Sequence, residues 1–452
     1  MDSLPADNGT PGGADHSKPL PPVEPPSALF ILQLFVVPGV LVAVIVAFII
    51  VFFGWIGGGP ETPEQFMEGL KSPSGMKRGK TAQDLAQVLP RKQELRGNVS
   101  FALDLADLLD QETQKPPTVP DPTRDEPYLL EFYLPSAAGS FHVPTALPIL
   151  AKLAIESKDR MAGDEAYRLR MRNAIFALAL LGARLKEFDG LPADDKARIV
   201  AELREASKSP DAARARRASQ AAEVLEQRLS ARGESGDKEL VPPFVANALE
   251  AGSTAPDELT RKYAILALAN WEGSATERLL LQLCGSQEDL PDAGFETGDR
   301  PFSSKDRERG SREIRQNAAL ALARRGSKQT PWDLVLETLN QDQLAREQYA
   351  DNPGMAISWT LKALKDLDQL RQAHPERLTA QPEVIAAVTR LATESPTVVV
   401  RVEAQKLLGG VPELAGTQTR TSRELLLIGG IGVSVLLLLG LAVFARWRRA
   451  AT

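Results

Sequence analysis

The chain has 452 residues, 43% of them hydrophobic and only 6% aromatic, with a formal net charge of −6. Residues 1–27 carry −3 and the last seven residues carry +3, so the middle holds −6 by itself. That mildly acidic body lacks the basic face needed for general nucleic-acid binding. One cysteine, Cys284, excludes an intramolecular disulfide and a cysteine-rich zinc site. Abundant Ala and Leu favour helices over strands.

Seven prolines within residues 1–27 predict a disordered tail. No charged residue then occurs between Glu24 and Glu61, and Ala28–Phe53 is almost wholly apolar, interrupted by Gln33, Pro38 and Gly39. As a helix this run reaches about 39 Å, against a hydrocarbon core of roughly 30 Å. Residues 28–54 are therefore expected to form a transmembrane helix, tilted or kinked at Pro38. The run is too long for a cleaved signal peptide, and Gly57–Gly59 make a poor cleavage site.

Residues 61–113 read as membrane-proximal helices. Within them, Ser74-Gly-Met-Lys-Arg-Gly-Lys-Thr81 comes within one residue of a P-loop, with Ser where the first Gly belongs. A phosphate cradle needs a buried strand before it, and Lys71-Ser-Pro73 supplies none. Nucleotide binding is not expected there. Gln114–Pro127 holds five prolines and reads as a linker.

Across the middle, roughly 61–423, a pattern recurs: an Arg, then Ala and Leu at helical spacing, often closed by Gly. Arg172–Gly182 and Arg315–Gly326 are the clearest copies. Weaker ones begin near Arg217, Arg261 and Arg401, and degenerate ones near Arg78, Arg124 and Met355. Successive anchors lie 40 to 54 residues apart, the period of a two-helix solenoid repeat. Second helices are predicted at Thr145–Ser157, Ala193–Ser207, Leu240–Ala251, Ala275–Cys284, Pro331–Leu339 and Pro382–Thr393. Several have proline in or before the first turn, at Pro144, Pro242, Pro331 and Pro382, where its missing donor is tolerated. Pro148 falls deeper and predicts a bend. The glycine closing the preceding helix is the expected left-handed cap. Each unit buries its apolar face only by stacking on its neighbours. The longest interval contains Gly285–Gly310, read as a polar loop. The basic run Arg214, Arg216 and Arg217 reads as a solvated repeat face, with phosphate or acidic lipid as the alternative.

Leu425–Ala445 is a second run of 21 uncharged residues, bracketed by Glu424 and Arg446. It reads as a second transmembrane helix, followed by a basic tail at 446–452. Small residues recur at helical spacing in both spans: Gly39, Ala43 and Ala47, then Gly430 and Ser434. Such stripes permit close helix approach in lipid, so the spans suit a membrane-complex partner or each other. Basic residues balance across the two sides; the Arg446-Trp-Arg-Arg449 cluster leans towards cytoplasmic termini.

The repeat pattern resembles HEAT repeats, most clearly in Phe141-His-Val-Pro-Thr-Ala-Leu-Pro-Ile-Leu-Ala-Lys-Leu-Ala154. Phe35-Val-Val-Pro38 through Phe53-Gly-Trp55, with Thr62-Pro-Glu-Gln-Phe66, resembles the amino-terminal anchor of bacterial membrane-anchored HEAT-repeat proteins. The resemblance implies an all-α fold: a HEAT-like α-solenoid of about seven or eight degenerate two-helix repeats over 128–420, flanked by two single transmembrane helices. It further implies a scaffold in the bacterial inner membrane and brings no chemistry to transfer. The carboxy-terminal span has no match in that family.

Nothing specifies catalysis. His16, His142 and His374 are far apart without a zinc signature, and Cys284 ends an apolar helix as a packed thiol. No catalytic, cofactor-binding or metal residue is assigned, and no cofactor is expected. The expected function is a membrane-tethered helical-repeat scaffold that binds a partner protein on its solenoid surface, without enzyme activity. The alternatives are an accessory subunit of a membrane transporter or secretion complex, and a HEAT-like enzyme, against which the acidic middle counts.

Overall fold

The structure, a computed structural model, describes residues 62–117, 126–161, 163–231, 240–285 and 304–409, and helical positions Val40, Val42, Val44, Ile45, Val46 and Phe48. The chain divides into two units, Met1–Glu61 and Thr62–Thr452. In the first unit the described apolar side chains are exposed, Val44 by 61% and Phe48 by 64%. The rest of the 28–54 run, with Gly39, Ala43 and Ala47, lies outside the described residues, as does the 425–445 run with Gly430 and Ser434. Among the described residues no helix is long and apolar enough to cross a membrane.

All regular structure described in the second unit is helical. It opens with α1 (Pro63–Leu70), α2 (Gly75–Val88), the single turn α3 (Gln93–Arg96) and α4 (Val99–Thr113). Next come α5 (Glu126–Ala138), α6 (Leu147–Lys158), α7 (Glu165–Asp189), α8 (Ala193–Ala206) and α9 (Ala212–Ala231). There follow α10 (Pro243–Ser253), α11 (Glu258–Asn270), α12 (Ser274–Gly285), α13 (Ser304–Arg324) and α14 (Trp332–Leu339). A short α15 (Gln341–Gln343) runs into a π turn, Leu344–Gln348, before α16 (Pro353–Ala373), α17 (Pro375–Thr379), α18 (Pro382–Glu394) and α19 (Val398–Gly409). Local chemistry sets these bounds. Asn98 and Asp257 cap α4 and α11 by accepting from the amides of Phe101 and Thr260, and prolines open α10, α16 and α18. Pro148 also falls in the first turn of α6, so the bend expected there is absent.

The helices stack in two rows. One row runs α2, α5, α7, α11, α13, α16, α19, each packed on the next. Beside it, α4, α6, α10 and α12 pack in succession, and α14 packs on α18. Each step pairs a helix of one row with a helix of the other, as α6 with α7, α10 with α11, α12 with α13 and α18 with α19. Alanines make the seams thin enough: Ala174, Ala177, Ala264, Ala267, Ala318, Ala319 and Ala363 are all fully buried. Leucines fill the space between, each worth roughly 1.5–3 kcal/mol when removed from water.

Charge pairs fix the register along the first row. Glu131 of α5 pairs with Arg170 of α7, and Arg172 makes a two-pronged contact with Asp257, the α11 cap. Lys262 of α11 pairs with Glu313 of α13, Arg324 lies 3.8 Å from Asp366 of α16, and Asp368 lies 3.8 Å from Lys406 of α19. Three of the repeat arginines do a different job. Arg261 donates to the carbonyls of Ala255 and Pro256, Arg401 to Ser395 and Arg315 to Cys284. Each thereby satisfies carbonyls left open where the preceding helix ends.

Two expectations need correction. The anchor at Arg217 does not mark a layer of the stack: α7 packs directly on α11, while α8 and α9 form a hairpin that folds back onto α4. Nor is Gly182 a left-handed cap, since it lies inside α7. A Cβ there would sit 2.8 Å from Trp271 Nε1, which donates to the Leu178 carbonyl at 2.9 Å. Gly182 is small because α11 approaches too closely for anything larger. Gly326, with φ +69°, does close α13 as a left-handed cap.

Candidate functional site

The α8–α9 hairpin is held to the stack by charge. Asp104, Asp107 and Asp110 recur every three residues on α4 and so share one face. Arg214 of α9 reaches Asp104 at 2.7 Å and Asp107 at 2.8 Å, and Arg217 pairs with Asp107 and Asp110. Despite the burial that opposes it, hydrogen bonds to Asp104 and Asp107 keep the Arg214 guanidinium pKa above its ordinary value. At the far end of α9, Arg228 meets Asp189 at 2.6 Å with both side chains almost fully buried. Within the hairpin Arg204 pairs with Glu226. Apolar burial adds to this: Ile199 and Leu203 of α8, and Ala218, Ala221, Ala222, Val224 and Leu225 of α9, are buried, with Val200, Ala206 and Leu229 packed against the core. The basic run is therefore no free solvated face. Arg214 and Arg217 are spent on α4, and only Arg216 is exposed.

This attachment lays α9 across the starts of α6 and α10 and leaves a groove of about 360 Å³ between them. Pro144, Leu147, Val241 and Pro242 form its buried floor, and Pro148, Pro243 and Phe244 its rim on the stack side. The opposite wall is one face of α9, Gln220, Glu223, Val224 and Gln227, at the spacing of a single helical stripe. Glu223 is exposed, accepts a hydrogen bond from Ser219 at 3.1 Å and makes no ion pair among the described residues.

Nothing in the sequence singled out this groove. Its prolines were legible as helix starters and its α9 residues as a polar face, but their meeting depends on where the hairpin folds. The spacing of Asp104, Asp107 and Asp110 was the one available signal that an arginine-bearing helix would dock there.

The other singled-out residues fall elsewhere. Ser74 caps α2 and the near-P-loop continues as ordinary helix. His142 is buried in the turn before α6, 3.4 Å from Glu187, and burial pulls its pKa below 6.5. Glu187 also receives Arg96 and Arg184; against the opposing burial, Arg184 and then His142 hold its carboxyl below the usual range. His374 caps the end of α16 beside Gly326. Burial pushes the Cys284 thiol up to about 12. A polar network at the π turn links Lys262, Glu313, Tyr349, Gln348, Gln316 and Glu337, each bonded to another member. Among the described residues no group of three or more His, Cys, Asp or Glu could hold a metal ion. Residues 286–303 of the expected polar loop lie outside the described residues, and 304–310 belong to α13.

No protein-family model matches the chain, and no curated protein matches it. Among solved structures, human deoxyhypusine hydroxylase in complex with glycerol is similar at 15% identity, covering 78% of this chain and 96% of that one, with a TM-score of 0.22. An engineered protein is similar at 14% identity, covering 78% of this chain and 99% of that one, with a TM-score of 0.19. Likenesses this loose transfer neither architecture nor chemistry. The groove has to be read from its own residues.

Proposed function

We propose that the chain is a membrane-tethered, HEAT-like scaffold without catalytic activity that holds a segment of a partner protein in the groove beneath α9. One observation carries this reading. The stack closes without the hairpin, since α7 packs on α11, yet α8–α9 is kept and clamped so that it walls an apolar cleft. A structure not needed for continuity but held by paired charges is best explained by what it encloses. The apolar runs at 28–54 and 425–445 are the proposed tethers, placing both ends of the chain on one side of the bilayer.

Photo-crosslinking in native membranes tests this. With p-benzoylphenylalanine in place of Phe244, irradiation is expected to give a discrete adduct that stays in the membrane fraction through an alkaline wash. The same probe at Lys152 of α6, whose side chain is 68% exposed outside the groove, is expected to give none. Adducts from Lys152 but not Phe244 would put the docking surface elsewhere, and release of the chain by the wash would remove the tether.

A further inference from the structure

We infer that Arg96, Arg184 and His142 form a binding site for a phosphate-type oxyanion, with the Glu187 carboxylate as a stand-in that the ligand displaces. The site is separate from the groove beneath α9 and needs no docked segment.

Three elements bring it together. Arg96 closes the single turn α3, His142 lies in the turn before α6, and Arg184 and Glu187 stand three residues apart near the end of α7. The His142 amide donates to the Arg96 carbonyl at 3.0 Å, which ties the first two together. Phe141 and Val143, on either side of His142, are buried, so the ring is held in place.

The cluster has more donors than acceptors. Arg184 donates through Nη1 to Glu187 Oε1, Arg96 donates through Nη1 to Oε2, and His142 Nε2 lies 3.4 Å from that same Oε2. Both carboxylate oxygens are thus engaged, and two guanidinium charges share one negative charge. Yet Arg96 Nε and Arg184 Nε are buried and have no hydrogen-bond partner among the described residues. Buried donors are nearly always matched, so two such groups around one carboxylate mark a place short of acceptor atoms. Arg217 and Arg261 each carry an Nε of this kind as well, but on separate partners.

The missing acceptors name the ligand. A carboxylate brings two oxygens, whereas a phosphate monoester brings three free ones. Arginine forks pair with phosphate through two parallel N–H groups each. A phosphoryl group in place of the Glu187 carboxylate therefore serves the two Nη groups and offers a further oxygen to the Nε groups. Glu187 is free to yield: its side chain is 44% exposed in the last turn of α7, while Arg96 and Arg184 are only 12% and 15% exposed. The cations are fixed and the anion is the movable part.

The test titrates the full chain in detergent micelles, at neutral pH and matched ionic strength, with inorganic phosphate, dihexanoyl phosphatidate and acetate. Calorimetry is expected to show saturable binding of phosphate at least tenfold tighter than of acetate. Phosphatidate binding tighter still assigns the site to a lipid headgroup; equal or weaker binding assigns it to free phosphate. Glu187→Gln is expected to tighten phosphate at least tenfold, and Arg184→Gln to weaken it at least tenfold. Phosphate bound no better than acetate, or bound undiminished by Arg184→Gln, overturns the inference. Binding seen only in Glu187→Gln makes that carboxylate a permanent partner and overturns it too. Should the melting curve show that Arg184→Gln does not fold, Arg96→Lys takes its place. It keeps the charge and loses the fork, so the same loss is expected and undiminished binding again overturns the inference.

Discussion

Arg228 and Asp189 illustrate how a single pair ties the hairpin to the stack. Their side chains are 2% and 3% exposed and meet at 2.6 Å. Removing one partner strands a buried charge, so Asp189→Ala is expected to cost about 3–5 kcal/mol. Replacing both, as Asp189→Leu with Arg228→Met, is expected to recover most of that loss. Urea unfolding of the three variants checks the cycle. Cys284 gives a second handle. With its thiol pushed up to about 12 by burial, a maleimide is expected to label it only after denaturation, and labelling of the native chain at neutral pH would contradict the packing. His142 supplies a pH dependence. Its pKa is below 6.5 in the fold, so the unfolded chain binds the extra proton first as pH falls. This contribution to stability is full above pH 6.5 and is lost on acidification through the folded pKa. Melting temperatures measured between pH 7.5 and 5 are expected to fall less steeply in His142→Asn.

At the scale of elements, the helices themselves were largely legible and their neighbours were not. The predicted second helices at 193–207, 275–284, 331–339 and 382–393 differ from α8, α12, α14 and α18 by one residue at most at either end. Proline starts and local caps encode such limits. The Arg217 anchor misled for a physical reason. An Ala-rich helical face announces that a helix packs against something, and it carries no record of which helix that is. The matching surface, Asp104–Asp110, lies over a hundred residues earlier. The expected spans at 28–54 and 425–445 fall largely on residues the structure does not describe, and among the described residues no helix is long and apolar enough to cross a membrane. The candidate groove was beyond the sequence altogether, since it exists only where α9 crosses two helix starts. Close packing of α7 on α11 makes its own prediction. Gly182→Ala forces a methyl towards Trp271 Nε1, so it is expected to cost about 1–3 kcal/mol and lower the melting temperature, although alanine favours a helix.

For the whole molecule, the consequence is a division of labour. The first row is one continuous stack, keyed by charge pairs from Glu131–Arg170 through Asp368–Lys406. Alongside it, α8–α9 is an added wall outside the row, joined to α4 by several ionic contacts. A wall so attached opens at lower cost than the stack unfolds. Hydrogen exchange on the full chain, with Arg214 and Arg217 both changed to alanine, tests this most directly. The amides of 193–231 are expected to lose protection while those of 165–189 and 258–270 keep theirs. If all three segments lost protection together, α9 would be a layer of the stack after all, and the groove beneath it no separate site.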